Sequence, residues 1–185
     1  FGGYGFGNHN LNNATGPGAP FAPFTANYDS QGALGGGELG YNWQSGSIVA
    51  GIEATGFGAD VKGGDTLALG LGWTDATKLR WGGTVRARGG IAIDRLLLFF
   101  TGGWGYGAIT HTNTNPGLPV DQFKVTRSGL VAGGGIAYAI TDNLIGKFEY
   151  SYLDLGTYRR DLPTNGVLPY TVANTYSVVT VGLDF

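Results

Sequence analysis

The sequence predicts an all-β fold: an eight-stranded antiparallel up-and-down transmembrane barrel, with short turns at one end and four long loops at the other. Three observations predict it. The chain is too poor in charge to coat a soluble surface, no segment can cross a bilayer as a helix, and eight strand-length runs are separated alternately by long and short polar breaks. Glycine occupies 36 of 185 positions, charged residues make up 13%, aromatics 13% and hydrophobic residues 42%, and Cys and Met are both absent. A soluble surface needs roughly 25–35% Lys, Arg, Asp and Glu. The longest apolar run, Leu96 to Ile109, contains Gly102, Gly103, Gly105 and Gly107. It is shorter than the ~18–20 residues of a spanning helix, and each glycine costs a helix about 1 kcal/mol. A chain that must satisfy its backbone groups in lipid without helices closes into a barrel.

The elements are set by the breaks. All seven prolines fall in 11–30, 112–123 and 158–172, and because proline removes a ladder donor these stretches are predicted loops. A fourth loop, 61–78, carries Gly63, Gly64, Asp65 and Asp75. Short polar points at Gln44–Ser47, Asp94–Arg95 and Thr141–Asn143 are predicted turns. The strands between them run at about 1–10, 31–43, 48–60, 79–93, 96–111, 124–140, 144–157 and 173–185, making one domain over 1–185. Strictly alternating short turns and long loops are the plan of bacterial membrane barrels.

Period-two alternation supports the strands. Leu79, Trp81, Val85, Ala87, Ile91 and Ile93 are read on one face, with Arg80, Thr84, Arg86 and Arg88 on the other. Leu144, Phe148, Tyr150 and Tyr152 alternate with Lys147, Glu149 and Ser151. The pattern weakens at 130–140, where the inner face reads Val131, Gly133, Gly135, Ala137, Ala139. A soluble ligand barrel also alternates, so orientation rests on further features. The polar face is mostly small, as suits a narrow packed interior. Aromatics sit near strand ends, with Tyr41, Trp43, Tyr138 and Phe185 toward the turns and Trp81, Trp104, Tyr106, Tyr150 and Tyr152 toward the loops, as two interfacial belts require.

Several runs carry a resemblance. Gly35–Gln44 followed by Val49–Ala54, Thr84–Gly90, Thr101–Gly107, Thr141–Asn143, Lys147–Tyr150 and Leu153–Gly156 together resemble the small outer-membrane immunogenic proteins of alphaproteobacteria over nearly the whole chain, with the loops as the variable part. The resemblance implies a barrel like the membrane domain of outer-membrane protein A, in the outer membrane of a Gram-negative cell among phospholipid and lipopolysaccharide. It also implies insertion by the barrel-assembly machinery, which reads a terminal aromatic such as Phe185.

Candidate functional residues form three groups. Glu38, Glu53, Arg86, Arg88, Lys147 and Glu149 fall on the inward parity near mid-strand and must pair. They are read as a salt-bridged plug, with a gated, low-conductance ion path as the alternative, since open aqueous channels come with about sixteen strands. Phe21, Phe24, Tyr28, Leu118, Phe123, Leu168 and Tyr170 are apolar residues in proline-stiffened loops, read as a cap over the mouth or as contacts for a partner or a second copy. His9 and His111 are read as solvated histidines at loop-side strand ends, and His111 is the candidate axial ligand of an alternative haem- or ligand-receptor reading. The expected protein has no cofactor and is not an enzyme, because His111 lacks a nearby Ser-centred motif and Gly133–Gly135 has no following Lys-Ser/Thr. A net charge of −2 offers nucleic acid no cationic field.

Overall fold

In the computed structural model, Val85, Phe148 and Val181 face outward at 64%, 48% and 61% exposure, while Arg86 and Glu149 are buried at 6% and 2%. This inverted arrangement, apolar outside and charged inside, is that of a barrel whose solvent is lipid. The structure describes residues 1–13, 24–66, 74–114, 116–117, 119–160 and 170–185.

Eight antiparallel strands follow one another in chain order: β1 (Gly2–Asn13), β2 (Phe24–Ser45), β3 (Ile48–Thr66), β4 (Thr74–Ile93), β5 (Leu96–Thr114), β6 (Asp121–Ala139), β7 (Ile145–Arg160) and β8 (Tyr170–Asp184). Each pairs with the next, and β8 closes on β1 through pairs such as Tyr4 with Val179, so no sheet edge is left below the Leu130–Asp154 pair, above which β6 and β7 part. The short turns are built for tight reversal. Gly46 takes φ +60° between β2 and β3, and Asp94, a residue type that tolerates the left-handed region, takes φ +51° between β4 and β5.

The strands run further toward the loops than the sequence predicts, at 12 to 22 residues where about 9–11 cross a membrane. The outward residues show why. On β1, Tyr4 and Phe6 are followed by Asn8, Asn10 and Asn12; on β2, Thr25, Asn27, Asp29 and Gln31 precede Ala33. The membrane-spanning parts are thus about 2–6, 33–45, 48–58, 81–93, 96–108, 130–139, 145–152 and 177–184, and above them the same strands continue as a polar-coated collar. Four residues read as loop contacts therefore belong to strands: Phe24, opposite Asn13; Tyr28, opposite His9; Phe123, opposite His111; and Tyr170, opposite Asn13 and Arg160. Prolines mark only the loop tips, and a polar outer face blurs the alternation. Phe21, Leu118 and Leu168 lie outside the described residues.

Bulges mark the same boundary. Register shifts occur between Gly58 and Val61 in β3, Leu79 and Trp81 in β4, and Asp154 and Thr157 in β7, where Gly156 takes φ +70°. A bulge adds one residue and flips the parity of the strand beyond it. Leu79 and Trp81 therefore do not share a face as the alternation suggests: Leu79 is buried in the lumen, Trp81 faces out, and Arg80 is exposed outside.

The weak alternation of 130–140 also has a packing cause. A Cβ on Gly135 would lie 2.1 Å from the Phe148 carbonyl oxygen and 3.0 Å from the Phe99 ring. Glycine there lets β6 approach β7 while Phe99 fills the lumen. Gly135→Val should cost about 1–3 kcal/mol by overpacking, read as a lower midpoint for loss of the fast-migrating folded band on heating before electrophoresis.

Candidate functional site

Inside the membrane-spanning part, the six candidate charges form a closed ring. Lys147 pairs with Glu38, Glu38 with Arg88 at 3.2 Å, Arg88 with Glu53, Glu53 with Arg86, Arg86 with Glu149, and Glu149 returns to Lys147 at 3.8 Å. Acid and base alternate around the ring, three of each, so it is neutral. The residues come from β2, β3, β4 and β7, and the Arg86 to Glu149 link spans the lumen. Neighbours add further bonds, although Nε of Arg86 and Nε of Arg88 stay buried without an acceptor among the described residues. Arg86 donates to Thr101 at 3.2 Å and Ser151 at 3.1 Å, Ser151 donates to Glu149 at 2.7 Å, and the Arg88 guanidinium lies 4.5 Å from the centroid of Phe99. Buried charges persist when paired and hydrogen-bonded in this way. The ring borders an opening of about 490 Å³ at the turn end. On its other side, a cavity of only about 60 Å³ separates it from apolar side chains, room for a water or two.

Above the ring, Val61, Leu79, Ile109, Val131, Leu153, Leu155 and Tyr176, contributed by six strands from β3 to β8, meet in one buried cluster. An ion crossing the lumen would meet charges and then this apolar layer.

The collar holds a second polar system that the sequence reading missed. His9 and His111 are not solvated: they are 2% and 1% exposed inside the barrel, which corrects their reading as loop histidines. The amide of Asn174 donates to the Val172 carbonyl at 3.3 Å, so its oxygen accepts from His9 Nδ1 at 2.9 Å, and the Ser30 hydroxyl donates to His9 Nε2 at 2.9 Å. A neutral imidazole fits both bonds. Across the collar, His111 Nδ1 meets Thr77 Oγ1 at 2.9 Å, Thr77 meets the Tyr28 hydroxyl at 2.6 Å, and Tyr28 donates to Asp75 Oδ2 at 3.1 Å. His9 stacks on Tyr28 at 5.0 Å between ring centroids, and His111 stacks on Phe123 at 5.1 Å.

These groups lie outside the membrane-spanning parts, and burial sets their titration. Desolvation lowers His9 to about 4 and His111 to about 3, and raises Asp75 to about 6. In His9 the Asn174 hydrogen bond partly opposes the fall, and in Asp75 the Tyr28 hydrogen bond partly opposes the rise. Ser30, His9 and Asn174 have the connectivity of a nucleophile, a base and an orienting amide, yet all three are at most 2% exposed, and a base near 4 is mostly unable to accept a proton from serine. With Phe123 stacked on its ring, His111 could become an axial ligand only by displacing that aromatic.

All nine predicted belt aromatics are exposed: Tyr41, Trp43 and Tyr138 at the turn end, with Phe185 past the end of β8 at the turn-end opening, Trp81, Tyr106 and Tyr152 below the collar, the first two with centroids 5.9 Å apart, and Trp104 and Tyr150 further down the wall. Tyr150 shares a hydrogen bond with Ser177 at 2.9 Å, pairing a hydroxyl that faces lipid.

An apolar outer band, aromatic girdles, a closed eight-strand sheet and a side-chain-filled lumen define an integral outer-membrane β-barrel. The chain is homologous to the outer-membrane immunogenic proteins of Brucella and to a Rhizobium outer-membrane protein, and like them it resides in the outer membrane. It is 37% identical over 161 residues to the 31 kDa outer-membrane immunogenic protein of Brucella melitensis, covering 83% of this chain and 66% of the relative. It is 32% identical over 137 residues to the 22 kDa outer membrane protein of Rhizobium leguminosarum bv. viciae, covering 69% and 59%. The chain thus spans just under two thirds of the length of the first of these relatives. No protein-family model matches it. Among solved structures, Ail of Yersinia pestis aligns over 97% of this chain and 96% of its own at 10% identity and TM-score 0.38, and Neisserial surface protein A over the same shares at 12% and 0.32. With scores this low, the eight-strand order is read from this chain's own pairing.

Proposed function

We propose that the chain is a structural, non-enzymatic surface protein of the outer membrane: a closed, non-conducting barrel that holds a stiff collar above the lipid and presents its loops to the outside. The observation that carries this reading is the neutral ring of six charges sealed by an apolar layer. A pore would require at least two ring pairs to separate and the apolar cluster to part, and each charge left unpaired in the low-dielectric interior costs several kcal/mol. The loops remain available for contact with a partner or a second copy, and insertion by the barrel-assembly machinery with Phe185 as its signal belongs to the same reading.

The test is electrical and chemical. In a planar bilayer the folded protein should give no unitary current across the voltage range, and it should release no fatty acid from phospholipid vesicles. Steady single-channel steps would favour a low-conductance channel. Lipid turnover lost in Ser30→Ala would instead assign chemistry to the buried hydroxyl, imidazole and amide.

A further inference from the structure

Four of the chain's 11 basic side chains gather on one side of the outer wall. Lys62 pairs in register with Lys78, Lys78 with Thr110, and Thr110 with Lys124, so one row across β3, β4, β5 and β6 carries three lysines. Arg80 stands just below Lys78 on β4, turned outward by the bulge. Asp60 is shared by Lys62 at 2.7 Å and Lys78 at 2.6 Å. Arg80 and Lys124 have no acidic partner among the described residues, so the cluster keeps an excess of positive charge. Like charges placed directly opposite on neighbouring strands destabilise a sheet; Asp60 offsets one of the two opposed lysine charges, and the net positive charge left with Arg80 and Lys124 favours a further anion.

The height of the patch says which anion. Trp81, half exposed, follows Arg80 at the upper limit of the apolar band, where indole rings mark the membrane interface. The cations therefore project at the level of the outer-leaflet headgroups. Two shallow grooves of about 330 and 300 Å³, both lined by Arg80 and Thr110, run between them. The opposite wall at this height is amide-rich, with Asn8, Asn10, Asn12 and Asn27 facing out alongside the charges of Asp29 and Arg159. Clustered basic charge is thus found on the β3 to β6 side, where four cations stand together.

We propose that Lys62, Lys78, Arg80 and Lys124 form a binding site for the phosphates of an outer-leaflet glycolipid, the lipid A type of headgroup, docked against the collar above Trp81. The site is separate from the lumen, so its success or failure does not depend on the barrel being non-conducting. Asp60 competes with the ligand for Lys62 and Lys78, while Arg80 and Lys124 are free to receive it.

The full chain, folded in detergent, would be mixed with bisphosphorylated lipid A or its dephosphorylated counterpart, and retained lipid counted by native mass spectrometry. The phosphorylated form should be held at least tenfold more tightly. Lys78→Gln/Arg80→Gln/Lys124→Gln should lose that preference while keeping the fast-migrating folded band, and Asp60→Asn should strengthen retention about two- to threefold. If the triple variant fails to fold, Lys124→Gln and Asp60→Asn alone must still move retention in opposite directions. Equal retention of the two lipids, unchanged binding in the charge variants, weaker binding in Asp60→Asn, or full displacement by millimolar inorganic phosphate, the mark of a free-anion site, would each overturn the proposal.

Discussion

Arg86→Ala should destabilise the barrel by about 3–5 kcal/mol, the cost of breaking a buried ion pair by removing one partner. Arg86 is the strongest candidate because it holds two carboxylates, Glu53 on β3 and Glu149 on β7, and also donates to Thr101 and Ser151. Its loss leaves three acids facing two bases in the lumen and opens the ring at one of its two cross-lumen links, the other being Lys147 to Glu38. Urea unfolding of the detergent-folded protein, followed by tryptophan fluorescence or by the folded band, measures the loss. Arg86→Lys should recover part of it, since one ammonium can reach one carboxylate but cannot fork between two. Removing Glu53 and Arg86 together, as Glu53→Gln/Arg86→Gln, should cost less than the sum of the single changes, because the ring members are coupled. A change below about 1 kcal/mol in Arg86→Ala, the size of an exposed pair, would mean that the ring is solvated and does not plug the lumen.

Acidification from pH 7 to pH 5 should lower stability by about 2 kcal/mol through the collar. Each histidine is held neutral by burial, with a folded value of about 4 for His9 and about 3 for His111, below the 6.5 of the unfolded chain. The unfolded state therefore takes up more protons, and stability that is full above pH 6.5 is lost as pH falls toward those folded values. Asp75 works the other way. Its folded value of about 6 lies above 3.8, so the native state takes up a proton first and recovers part of the loss between about pH 6 and 3.8. Two histidines outweigh one carboxyl. Urea midpoints at pH 7 and 5 measure the balance: His9→Asn/His111→Asn should flatten the slope and Asp75→Asn should steepen it. A flat profile in the unaltered protein would show that the histidines are hydrated.

What the sequence made legible depended on contrast between the two faces of a strand. Within the lipid band, Arg86 and Arg88 stand out against Val85 and Ala87, and Glu149 against Phe148 and Tyr150, so inward parity can be read one residue at a time. Above the band both faces are polar. Asn8, Asn10 and Asn12 outside alternate with His9 and Leu11 inside, yet the strand is read as ending at 10 and His9 as solvated unless one knows that the outer solvent has changed from lipid to water. The signal that could have revealed the collar was the uninterrupted period of two through Thr25, Asn27 and Asp29, set against Tyr28 and Ser30. The bulge at Arg80 was hidden because Leu79 and Trp81 are both apolar and both fit the face assigned to them. The cationic row could not be read either, since Lys62, Lys78 and Lys124 are far apart in sequence and only strand register aligns them.

The continued strands have a mechanical result at the cell surface. Six to nine residues of each strand continue beyond its spanning part and, rising ~3.3 Å each along tilted strands, lift the loop attachments on the order of 15–20 Å above the apolar band. The pedestal is hydrogen-bonded from β7 through β8 and β1 round to β6, with a seam between β6 and β7 above the Leu130–Asp154 pair, and the displayed segments can change length or composition without altering the part anchored in fat.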